Sequence, residues 1–176
     1  GYLPRWKGED CVPDSLAEAI RSFVYACAVR KLRGQGNKHS SMLIHVTRFT
    51  SVQSEVVNQV AEYLRDLKGR YTRGIELAPL EASMREEYEA TFLIGMQEIR
   101  AAFVEGETLQ DFSWEEVRVV IPDVLSDIRV REINGTAKDA LDYEEHKETG
   151  LKVIAIGGDK LARGLTLEGL CTSYFL

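Results

Sequence analysis

The chain's 176 residues suit one domain, with room for an appended subdomain. Apolar residues at 44% and charged residues at 28% are the proportions of a folded globular chain and exclude a disordered one. The net charge of −6 argues against nucleic-acid binding by bulk charge, so only a local basic groove, or charge supplied by a partner domain, would serve.

The N-terminal GYLPRWKGED is polar and lacks the apolar segment of a signal peptide. No apolar run approaches the roughly 20 residues that span a bilayer, so no membrane partner is expected. Cys11, Cys27 and Cys171 are odd in number and unspaced, which reads as free thiols in a reducing, cytoplasmic setting. Residues 1–12 read as the end of an upstream linker and 13–176 as one domain. From Pro13 to Gly34, the recurrence of Leu16, Ile20, Phe23 and Cys27 predicts a helix. Asp14 and Ser15 are its candidate N-caps, and Arg30, Lys31 and Arg33 suit its C-terminal dipole.

SMLIHV, 41–46, has the length and apolarity of a buried strand. The stripe Val52, Val56, Val60, Tyr63, Leu64 and Leu67 then predicts a helix, capped by Thr50 or Ser51. RYTRGIELAP, 70–79, reads as a loop, and Met84, Tyr88, Met96, Ile99 and Phe103 mark a long amphipathic helix over 80–105. SWEEVRVVIPDVLSD predicts a helix broken near Pro122, and the stretch 75–127 reads as a helical insert. IRVREIN, 128–134, alternates apolar and charged residues as a strand with one wet face. Residues 135–150 read as a polar surface loop or short helix. LKVIAIGG and CTSYFL read as strands joined by a tight β–turn–β connection. Short apolar strands alternating with amphipathic helices predict an α/β fold, a mainly parallel sheet with helices on both faces.

RGQGNKHSS, 33–41, superficially suggests a phosphate-binding loop. Gly36 and Lys38 are not adjacent, and the order is helix then strand, so no Walker A motif is present. Asp123 and Glu132 are a distant echo of a metal-dependent nuclease pair, but Asn134 stands where the assisting Lys is needed. Glu132 reads instead as a residue of the strand's wet face. His39, His45 and His146 are scattered without ligand spacing, so no metal site is expected. No nucleophilic triad can be argued from this spacing, and no catalytic residue is assigned.

Two strand ends remain. Thr47, Arg48, Thr50, Ser51 and Gln53 lie between a strand's carboxyl end and a helix N-terminus, where free N–H groups and the dipole favour anions. Helix capping by Thr50 and Ser51 explains the same residues equally well. Gly157 and Gly158 end the next apolar strand, and Lys160 and Arg163 can share one face of the turn that follows.

VIAIGGDKLARGLTLEGLCTSYFL closely resembles motif V of superfamily-two helicases. Taken with SLAEAIRSFVYACAVRKLRG and SMLIHVTRFTSVQ, it is similar to the Z-one (Z1) domain family, over roughly 13–60 and 151–176. Members of that family are described as candidate endonucleases and accompany helicase-type ATPases in bacterial restriction and defence loci. The resemblance implies the second RecA-like domain of a DNA motor. Its implied partners are DNA, an upstream RecA-like domain of the same parent chain, and methyltransferase or other restriction subunits. ATP and Mg would be bound in the intact parent only. Thr47, Arg48, Thr50, Ser51 and Gln53 would touch the nucleic-acid backbone. Gly157, Gly158, Lys160, Arg163, Gly164, Thr166 and Glu168 would couple nucleotide to nucleic acid. Helicases often carry Asp two residues after the Arg-Gly pair; here that position is Thr166, with Glu168 the nearest carboxylate. The chain ends at Leu176, before any motif VI, so it is expected to be a fragment without the arginine finger. A metal-dependent endonuclease domain and a non-catalytic interaction module are the alternative expectations.

Overall fold

The computed structural model describes residues 5–47, 49–103, 110–133, 142–158 and 166–176. In chain order these form helix α1 (Asp14–Arg30), strand β1 (Ser40–His45), helices α2 (Thr50–Arg73), α3 (Leu77–Glu87), α4 (Ile94–Phe103) and α5 (Trp114–Asp127), and strands β2 (Ile128–Ile133), β3 (Lys152–Gly157) and β4 (Leu170–Phe175). The strands make one sheet of order β2-β3-β1-β4, and every pairing is parallel. The α/β expectation is therefore met.

The register of the sheet sorts its side chains into two faces. Ile128, Val130 and Glu132 share a face with Lys152, Ile154 and Ile156, and with Met42, Ile44 and Tyr174. Met42, Ile44, Ile154 and Ile156 are fully buried beneath α1, α2 and α5. Burying each contributes about 1.5–3 kcal/mol, so this layer is the main source of cohesion. On the opposite face, the described residues that pack against Leu43 and Ala155 are Ile133 and Leu167. Tyr143 packs there against Leu151 and Val153.

β3 and β4 are not neighbours, because β1 lies between them. The segment between them therefore does not join adjacent strands, and the expected tight β–turn–β connection is corrected. At the start of β4 the register shifts between Ser41 and Met42, which leaves Cys171 as an extra residue.

Local structure departs from the sequence reading at several helix ends. Pro13, not Asp14 or Ser15, is the N-cap of α1. Asp14 instead takes a 3.0 Å bond from Lys7, and the Ser15 hydroxyl lies 2.7 Å from that of Tyr174. Helix α2 continues to Arg73 before Gly74 stops it with φ 66°, so most of the expected loop is helical. Leu67 and Tyr71, four apart, prolong the apolar stripe and explain the extension. Pro79 falls in the first turn of α3, where its missing N–H costs nothing. A π-type segment, Tyr88–Leu93, joins α3 to α4 with helical backbone at both junctions, Glu87 and Ile94.

Helix α5 also runs through Pro122 unbroken. It starts on a capping box in which the Ser113 hydroxyl accepts from the Glu116 N–H and Glu116 accepts from Ser113. Buried Trp114, Val117, Ile121 and Val124 then hold it against α1, which outweighs one lost backbone bond. Tyr25, Tyr88, Phe92 and Trp114 form an aromatic cluster with ring centroids 5.6–6.4 Å apart, tying α1, α5 and the Tyr88–Leu93 segment together.

Candidate functional site

The carboxyl ends of β1 and β3 lie side by side. His45 pairs with Gly157, and the Val46 N–H donates to the Gly157 carbonyl at 2.8 Å. The two chains then part. After β1 the chain enters α2, which packs on β2 and β3 from the helical face. Beyond β3 the next described segment begins at residue 166, and its Leu167 packs on the opposite face. Adjacent strands whose connections leave to opposite faces define a topological switch point, the place where open parallel sheets bind ligands.

Thr47, Thr50 and Ser51 are exposed at this edge, and Gly158 is buried beside it. Phe49, not Thr50 or Ser51, is the N-cap of α2, and no side chain caps it. Thr50 and Ser51 are the first helical residues, so their backbone N–H groups lack intrahelical acceptors and meet the positive end of the dipole. The capping explanation for these two residues is thereby removed. Gln53 is 4% exposed; its Nε2 donates to the Thr47 carbonyl at 2.9 Å, which fixes the β1–α2 turn. Its Oε1 is buried without a hydrogen-bond partner among the described residues. Such an atom costs about 1–3 kcal/mol unless something bonds it.

Sequence reasoning placed the other residues of the site with mixed outcomes. Arg48, Lys160, Arg163 and Gly164 lie outside the described residues. Thr166 is exposed. Glu168 is not brought to this edge. Its carbonyl accepts from the Ser41 hydroxyl at 2.7 Å and its carboxylate lies 3.7 Å from His39 Nε2, both at the start of β1. Five residue steps along β1 separate that end from His45, about 17 Å.

Glu132 has a role that its sequence pattern hid. The register turns it toward the helices, where Ser54 of α2 donates to it at 3.0 Å, and it is Arg129 and Arg131 that face water. The expected placement of Glu132 on the wet face is corrected. Asp123, its supposed nuclease partner, bonds Lys31 at 2.8 Å. Each carboxylate thus has its own partner on a different element. Among the described residues, no group of three His, Cys, Asp or Glu is arranged to hold a metal ion.

Groups with displaced proton affinities sit away from the β1–β3 edge. Lys152 begins β3 at the opposite end; burial lowers its pKa, and its ammonium donates to the carbonyls of Gly36, Lys38 and Gly150. Burial pushes the Cys27 thiol up to about 12, and all three cysteines are free.

The fold defines an α/β protein with a parallel sheet, and the ends of β1 and β3 lie side by side at one edge of it. The profile of the Z1 domain family matches residues 15–176, and the chain belongs to that family. No curated protein and no solved structure matches it significantly. No helix among the described residues is long and apolar enough to cross a membrane.

Proposed function

We propose that the chain is the C-terminal RecA-like half of an ATP-dependent DNA helicase or translocase of a bacterial restriction or defence system. The observation that supports this most is the meeting of two segments, far apart in sequence, at one switch point, joined by the 2.8 Å bond from Val46 to Gly157. In this reading Thr47, Arg48, Thr50, Ser51 and Gln53 bind the nucleic-acid backbone. Hydroxyls and helix N–H groups suit phosphate, and they need no net positive charge on the domain. Gly157 and Gly158, followed by Lys160, Arg163, Gly164 and Thr166, form the coupling loop. Glu168 anchors the far end of that loop through His39 and Ser41.

The donors of this chain do not fit Mg-ATP by themselves. The sequence has no P-loop, and the described carboxylates are not clustered. Nucleotide and metal are therefore assigned to an upstream RecA-like domain of the parent chain, and DNA and restriction subunits to its partners. Residues 1–176 alone are expected to hydrolyse no ATP. Robust turnover, abolished by a substitution within these residues, would overturn the assignment. The endonuclease reading loses support from the separate partners of Asp123 and Glu132, and Mg²⁺-dependent DNA cleavage lost in Asp123→Ala would restore it.

A further inference from the structure

We propose that the outer edge of β2, which has no strand partner among the described residues, is a docking strand for an extended acidic peptide. Strand β2 pairs only with β3, so one row of its backbone N–H and C=O groups has no strand partner among the described residues. A cavity of about 340 Å³ opens beside it, between α2, the end of α5 and β2. Its floor holds Leu64, Leu125, Ile128 and Val130. Its rim carries Arg65 and Lys68 of α2, both exposed. Arg129 and Arg131 lie on the other face of the same strand, also exposed.

These four cations stand in a chain of net charge −6, and two nearby carboxylates are engaged elsewhere. Asp66 bonds Arg70 at 2.9 Å and Glu132 receives Ser54. Arg65, Lys68 and Arg131 form no ion pair among the described residues. Protection of the edge against self-pairing accounts for Arg129 and Arg131. It does not account for a cavity floored by apolar side chains with two more cations on the other face.

One occupant satisfies all three features. An added strand bonds the free backbone row, and its side chains alternate between faces. Alternating apolar and acidic residues would then place apolar groups over Ile128 and Val130 and carboxylates against Arg129 and Arg131. Acidic flanks would meet Arg65 and Lys68. A nucleic-acid backbone would use the cations but neither the strand edge nor the apolar floor. A second copy of the strand would bring like charges together.

The test is fluorescence anisotropy on the 176-residue chain with a short labelled peptide alternating Val and Glu. The Val-Glu peptide is expected to bind and its Val-Lys counterpart not to. An N-methylated Val-Glu peptide, unable to add as a strand, is expected to lose about tenfold or more in affinity. Arg129→Glu with Arg131→Glu, and separately Arg65→Glu with Lys68→Glu, are each expected to lose about tenfold or more. All four side chains are exposed, and an unchanged circular dichroism spectrum confirms that the variants fold. No peptide binding up to millimolar concentration would overturn the proposal. So would binding that N-methylation leaves intact, or a single-stranded oligonucleotide that binds with the same variant sensitivity while the peptide does not.

Discussion

Gly169 directly precedes β4, and replacing it with alanine tests how the start of that strand is held. Its φ is +64°, and an added Cβ would stand 2.0 Å from the His39 carbonyl oxygen, a backbone atom that cannot rotate away. A left-handed backbone costs alanine about 1–2 kcal/mol on its own. Relieving the clash moves Gly169 off the Ser41 N–H, which donates to the Gly169 carbonyl at 2.9 Å. Ser41 is fully buried, so its orphaned N–H adds about 1–3 kcal/mol. Gly169→Ala should therefore lose about 2–5 kcal/mol, with loss of the β1–β4 junction as the cause. Gly74→Ala is the internal control. Its φ is +66°, but nothing lies within 4 Å of an added Cβ, so about 1–2 kcal/mol is expected. Urea denaturation followed by circular dichroism measures both, with the slope held common to the two variants. Equal losses in the two variants would show that the contact with His39 relaxes freely, and the reasoning from close approach would fail.

Two further outcomes follow from buried polar groups. Arg21 bonds both oxygens of Glu87 at 2.8 Å and the Tyr63 hydroxyl at 2.6 Å, while the Tyr25 hydroxyl donates to Glu87 at 2.6 Å. Glu87→Leu strands a mostly buried guanidinium between α1, α2 and α3 and should cost about 2–4 kcal/mol in the same urea assay, whereas a loss below about 1 kcal/mol would mean that Arg21 finds water. Lys152 titrates below its ordinary 10.5 because burial disfavours its charge, so the unfolded chain binds more protons and stability should rise as pH climbs through the lowered value toward 10.5. The difference in unfolding free energy between the native chain and Lys152→Met should rise between pH 8 and 10 (tyrosine titration enters both and cancels), and a flat difference would refute the burial argument.

The α/β class was legible because strands and helices announce themselves locally. SMLIHV and VIAIGG are apolar runs too short for helices, and the stripe from Val52 to Leu67 has helical spacing. What local periodicity cannot carry is strand order. CTSYFL reads the same beside VIAIGG or beside SMLIHV, and only the assembled sheet puts β1 between β3 and β4. That order decides the site. It brings Thr47 to Gln53 and Gly157 to Gly158 to one edge, and it carries Glu168 to the other. Glu132 was misread for a related reason. IRVREI alternates imperfectly, and the register fixed by Ile128 and Val130 turns Glu132 inward toward Ser54. Pro122 misled because a breaker's cost is small beside the burial of Trp114, Val117, Ile121 and Val124.

The proposed coupling between the β1–α2 turn and the segment after β3 is tested most directly in the intact parent protein, by DNA-stimulated ATP hydrolysis. Ser51→Glu sets a carboxylate at the α2 N-terminus, where backbone phosphate is proposed to lie, and Lys160→Ala with Arg163→Ala removes the loop's charges. Both are expected to leave basal hydrolysis intact and to abolish most of the stimulation by DNA. Undiminished stimulation in both variants would contradict the placement of nucleic acid at this edge.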